Sequence, residues 1–147
     1  MFEKILIGLD GSTLAEQVIP YAIEQAVNFD SRVVLLRVIG NEAVAAPARA
    51  TASYLQAMAI EEDKAHKYLE GIEVSFRERG IVTEVAVIQG EPSDTLISYA
   101  EQNGADLIIL ATHGYGGLKR LVLGSVADRV IRETKQPVLA IKPVGES

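Results

Sequence analysis

Cysteine is absent, so this chain can form no disulfide, no thiol nucleophile and no thiolate metal site. Histidine occurs twice, as His66 and His113, a poor start for a zinc site. Tryptophan is also missing, and aromatic residues make up 5% of the chain against 48% for all hydrophobic residues. The core must therefore be aliphatic, built from Ile, Val, Leu and Ala. Basic residues are in the minority: 14 Lys and Arg stand against 20 Asp and Glu, for a net charge of −6. A nucleic-acid backbone demands a basic face, so nucleic acid is not expected as the main partner. No apolar run approaches the ~18 residues of a membrane span, so no membrane insertion is expected. The opening Met1-Phe2-Glu3-Lys4 lacks the layout of a signal peptide, and a soluble, cytoplasmic protein is the expectation. Two common phosphate-binding motifs are missing too. G-x-x-x-x-G-K-[ST] occurs nowhere, and no G-x-G-x-x-G follows the first apolar run.

What is present alternates regularly. A length of 147 residues suits one domain with a sizeable core, and residues 1–147 are read as one unit without internal repeats. Residues 4–9 (KILIGL) read as a buried strand closed by Asp10-Gly11-Ser12. A helix follows, with Thr13 and Glu16 as a capping box and Leu14, Val18, Tyr21, Ala22 and Ala26 on one face. Residues 32–39 (RVVLLRVI) form a second strand whose nearly continuous apolar character suits a parallel sheet covered on both faces. Residues 40–52, rich in small residues, read as a flexible loop that is either a lid or an insertion. A long helix over roughly 53–79 carries an apolar stripe of Leu55, Met58, Ala65, Leu69, Ile72 and Phe76, stopped by Gly80. A third strand spans 83–88, and Pro92 opens a helix at its first position. Residues 106–111 (DLIILA) are the fourth strand, 125 to about 134 a helix, and 137–141 the last strand. The alternation predicts an α/β fold: a five-stranded open parallel sheet with helices on both faces. Ligands of such sheets bind beyond the carboxyl ends of the strands, where the strand order reverses. Asp10 and the segment after the fourth strand both follow strand ends and are expected to share one crevice.

That segment is the most informative in the chain. Thr112-His113-Gly114-Tyr115-Gly116-Gly117, then Gly124-Ser125, places four of the twelve glycines between a strand and a helix. Glycine lets backbone N–H groups converge on a ligand, and a helix opening at Ser125 adds free donors and a positive dipole end. The pattern describes an anion cradle suited to nucleotide phosphates. A tight structural turn is the alternative.

The same residues resemble a known family. Ala111-Thr112-His113-Gly114, nine residues, then Gly124-Ser125 looks like the universal stress protein motif G-x-x-G-x9-G-[ST]. The resemblance extends over essentially the whole chain, through KILIGLDGS, LLRVI, GEPSDTLISYA, LVLGSVADRVI and PVLAIK. One position departs: the motif's first glycine is Ala111. The resemblance implies an adenine-nucleotide α-hydrolase-like, Rossmann-like domain that binds ATP, with Mg, and pairs as a homodimer. Backbone N–H groups of His113, Gly114 and Gly117 would surround the phosphates, with those of Ser125 and Val126 at the helix start, and Ala111, Thr112, Gly116 and Gly124 would complete the ATP site. The Ser125 hydroxyl would donate to a phosphate oxygen or serve as an N-cap. Asp10 would accept from ribose hydroxyls or help hold Mg, or would act only as a turn residue. Gly8 and Val38 match positions close to adenine. The homodimer would form through the edge strand Pro137–Ile141.

Beside these, His113 is expected to make a structural hydrogen bond rather than act as a base, and His66 to be solvated. Lys119 and Arg120 would either screen phosphates or simply be exposed. No catalytic set accompanies the cradle, so a nucleotide-loaded stress-response switch or sensor, at most slowly hydrolytic, is favoured over an enzyme. Two alternatives are a nucleotide-free, partner-binding member of the family and a phospho-receiver domain. The receiver is disfavoured because VAVIQGEPS offers no aspartate at the third strand's end.

Overall fold

The computed structural model describes residues 1–40, 52–114 and 123–145. The expected loop at 40–52 thus lies, but for its two end residues, outside the described residues, as do Gly116, Gly117, Lys119 and Arg120.

The strands are β1 (Lys4–Gly8), β2 (Arg32–Ile39), β3 (Thr83–Gln89), β4 (Leu107–Ala111) and β5 (Val138–Ile141), all parallel, in the order β3-β2-β1-β4-β5. The helices are α1 (Ile19–Phe29), α2 (Ala52–Arg77), α3 (Pro92–Gln102) and α4 (Ser125–Glu133), with a 3-10 segment at Ala15–Val18. Alternate residues of each strand enter separate cores. Ile5, Ile7, Val33, Leu35 and Ile109 pack with α1 and α2, while Leu6, Val34, Leu36, Ile108 and Leu110 pack with α3 and α4. This double coverage is why β1, β2 and β4 read as nearly continuous apolar runs. Among the described residues, no helix is long and apolar enough to cross a membrane.

The strand order locates the site. The chain moves outward from β1 to β3, then returns past β1 to place β4 and β5 on its other side. The connections after β1 and β4 therefore lead to helices on opposite faces of the sheet, and a crevice opens at this reversal. The same order excludes the receiver alternative, whose doubly wound sheet runs 2-1-3-4-5.

Three local expectations are corrected. The Thr13–Glu16 capping box does not form. Gly11, at a φ of +88°, turns the chain so that Ser12 takes the capping place, its Oγ accepting from the Ala15 N–H at 3.1 Å. Glu16 instead accepts from the Tyr68 hydroxyl at 2.8 Å. Tyr21 and Leu55 sit at helical spacing but are 51% and 69% exposed, because the sheet contacts only a narrower stripe of each helix. Strand and helix ends differ from the expected ones by one or two residues, the usual uncertainty of frayed ends.

Candidate functional site

A cleft of about 440 Å³ opens at the β1/β4 reversal. That volume lies within the range of small-molecule sites. Gly8, Asp10, Val38, Ala111, Thr112, His113, Gly114, Gly124, Ser125 and Val126 all line it, so every described residue of the sequence-derived set is brought together. His66 is exposed on α2, away from it.

Asp10 follows β1 and is fixed on both sides. Its Oδ1 accepts from the Ser12 N–H at 2.8 Å. Its Oδ2 lies against Gly114, where any Cβ would overlap it. The missing side chain at Gly114 thus lets the β4 loop close onto the carboxylate of the β1 loop. Gly8 serves the floor in the same way: a Cβ there would stand 2.7 Å from Leu96 Cδ1 of α3.

Ala111 ends β4, paired with Ile141, and its methyl packs in the core shared with α1 and α2. It is an ordinary strand residue without positive φ, so the site of the motif departure needs no glycine. Thr112 continues the strand through its N–H, which donates to Ile141 O at 2.9 Å. The Thr112 hydroxyl and buried His113 Nδ1 are 2.9 Å apart, a hydrogen bond that anchors the ring. The Gly124 N–H then donates to Thr112 O at 2.7 Å, closing the loop at its far end.

Two helix N-termini border the cleft, and they differ. Glu91 caps α3 with its own carboxylate, accepting from the Ser93 and Asp94 N–H groups at 3.3 and 2.7 Å. Partial burial works against the Glu91 charge, but those N–H groups, the Ser93 hydroxyl and Arg129 outweigh it and hold its pKa below the ordinary glutamate value. Arg129 of α4 also pairs with Asp94 and Glu133, tying the two helices together. The cap of α4 is Gly124, which has no side chain to offer, so Ser125 is the first helical residue and not the N-cap. The positive end of α4, worth roughly half a charge, therefore faces the cleft without a side-chain cap. Of the two helix ends, α4 is the one that no described side chain caps.

Sequence reasoning missed part of the lining: Leu36, Leu96 and Pro92, which add apolar surface beside Val38, and two charged residues, Arg37 and Glu61. Arg37 had a signal, as an interior charge in the otherwise apolar RVVLLRVI. Its guanidinium lies 5.6 Å from the centre of the Tyr68 ring. Burial, then the hydrogen bond to Glu16, raises the Tyr68 pKa well above the ordinary tyrosine value. Among the described residues, no cluster of three or more His, Asp or Glu is arranged to hold a metal.

Residues 1–142 match the Universal stress protein family. The chain is 32% identical over 143 residues to Universal stress protein MJ0531 of Methanocaldococcus jannaschii, covering 97% of this chain and 83% of that protein. The solved structure of MJ0577 from the same organism superposes with a TM-score of 0.82 at 28% identity, with 99% of both chains covered. The universal stress protein from Archaeoglobus fulgidus, solved in complex with dAMP, shares the fold at a TM-score of 0.68 and 21% identity, over 96% of this chain and 98% of that one.

Proposed function

The chain belongs to the universal stress protein family, and we propose that it is an adenine-nucleotide-binding switch or sensor of the stress response that takes ATP into the β1/β4 cleft. One observation carries the reading: a fixed carboxylate, the hydrogen-bonded ends of the glycine segment at Thr112 and Gly124, and the N-terminus of α4, capped by no described side chain, converge at one strand-order reversal. The dAMP held by the Archaeoglobus fulgidus relative supports an adenine nucleotide as the ligand class.

The roles follow from position. The apolar surface of Leu36, Val38 and Leu96 suits the base, with Gly8 giving it depth. Asp10 suits the ribose hydroxyls. The N–H groups of His113, Gly114, Ser125 and Val126 suit the phosphates, with the Ser125 hydroxyl as a further donor. The donor set also fits Mg, which takes one or two carboxylates and completes its shell with phosphate oxygens and water. Asp10 would hold it, and the ion would neutralise phosphate charge beside an acidic residue. Binding and release, with at most slow hydrolysis, then define a cytoplasmic switch. A homodimer forms through β5, an edge strand whose four apolar residues are all only half-buried. Light scattering should give twice the 15.8 kDa chain mass.

The test is thermal unfolding with and without Mg-ATP. Ligand at about 100 times Kd adds roughly 2.7 kcal/mol. For a domain of this size that raises Tm by several degrees, at about 2–4 °C per kcal/mol. An unchanged Tm at millimolar Mg-ATP, in a folded sample, would refute the reading.

A further inference from the structure

We propose that Arg37 is a ligand-contacting residue of this cleft, donating to the ribose-phosphate half of the bound nucleotide. The inference rests on the nucleotide reading and adds to it the residue that senses ligand charge.

Arg37 is unusual in its surroundings. It interrupts the apolar β2 between Leu36 and Val38, yet it forms no ion pair with any described carboxylate. Its one described contact as a cation is the face of Tyr68. Its Nε is buried and has no hydrogen-bond partner among the described residues. A buried, unpaired donor on a charged group is costly, and here it belongs to a residue that lines a ligand cleft. Nε itself is shielded from solvent, so a nucleotide oxygen would be met by the outer Nη donors of the same guanidinium.

The charges around it point the same way. Among the described lining residues, Arg37 is the sole lysine or arginine, set against the carboxylates of Asp10 and Glu61. A phosphate-bearing ligand entering beside Asp10 meets like charge, which Arg37 offsets. The two residues leave neighbouring strands at the same level: Gly8 pairs with Leu36, and the Leu9 N–H donates to Leu36 O at 2.9 Å. Both charges also act on the same Tyr68 phenol, in opposite senses. Tyr68 is itself fixed by donating to Glu16, so the platform under the guanidinium is set before ligand arrives. A guanidinium resting against a fixed ring loses less freedom on binding an oxyanion than one free in solvent.

The experiment compares wild type, Arg37→Met and Arg37→Lys as full chains, titrated with Mg-ATP and with adenosine by calorimetry or thermal shift. Arg37→Met should weaken ATP about tenfold or more, so that the ratio of ATP to adenosine affinity falls. Arg37→Lys should recover part of that ratio. Added salt should weaken ATP binding to wild type more than to Arg37→Met. An equal loss for both ligands, or a salt dependence that the substitution leaves unchanged, makes Arg37 a packing residue and overturns the inference. So does wild-type ATP affinity in Arg37→Met. A wild-type chain that binds neither ligand overturns the nucleotide reading itself.

Discussion

The Asp10 carboxylate stands where a Cβ on Gly114 would be. Two loops that are distant in sequence therefore touch through an absence, and the contact sets how closely the β4 loop approaches the β1 carboxylate. Gly114→Ala should force Asp10 out of its place, loosening its bond to the Ser12 N–H. A carboxylate can swing, so the expected stability loss is small, about 1 kcal/mol or less, while Mg-ATP affinity falls at least about tenfold. Adding Asp10→Ala relieves the overlap but also removes the acceptor of the Ser12 N–H, and it should not restore binding. Thermal melts with and without Mg-ATP check both, and undiminished binding by Gly114→Ala would move the ligand elsewhere.

Gly124→Ala should behave differently. Its Cβ would lie 2.8 Å from Thr112 O, which is backbone and already accepts the Gly124 N–H. Nothing there can rotate away. The expected cost is about 1–3 kcal/mol, in the range of overpacked sites, with Tm lowered by about 2–4 °C per kcal/mol. A Gly124→Ala protein as stable as Gly114→Ala contradicts this account of the loop closure.

Glu91 predicts a pH dependence. Its folded pKa is depressed, so its contribution is complete above the ordinary glutamate pKa and is lost as pH falls through the lowered folded value. Glu91→Ala removes the α3 cap and should cost about 1 kcal/mol near neutral pH. Urea denaturation across a pH series should show the gap between wild type and Glu91→Ala closing in acid. A gap that stays constant would assign the loss to packing alone.

Tyr68 works in the opposite direction. Its pKa is raised by burial and by donation to Glu16, so its contribution is complete below the ordinary tyrosine pKa, about 10, and is lost as pH rises through the higher folded value. Alkaline titration followed by tyrosinate absorbance should show a late component that Tyr68→Phe removes. The same substitution should cost about 1 kcal/mol at neutral pH through the lost hydrogen bond. Titration of the late component unchanged in Tyr68→Phe would place it on another residue.

Much of this was legible in the chain. Strands covered on both faces carry few polar residues, so β1, β2 and β4 announced themselves as largely apolar runs, Arg37 apart, and implied a parallel sheet. The glycine spacing and Asp10 pointed to one crevice because strand ends in such sheets share an edge. What failed was local: Ser12 and Thr13 offer the same hydroxyl chemistry, and only the turn at Gly11 decides which one caps. Tyr21 and Leu55 failed because helical period shows which residues share a face, not how much of that face the sheet covers. Arg37 and Tyr68 stayed hidden because a charge inside an apolar strand reads as noise until its stacking partner from another element is known.

By itself, the sequence determined the alternation of strand and helix, the aliphatic core and the residue types of an anion site, since these depend on local periodicity and composition. Tertiary structure decided the strand order, the closure of Gly114 on Asp10, and which of two helix ends no described side chain caps. Those are contacts between segments far apart in the chain, fixed by how the layers pack and invisible to any local pattern.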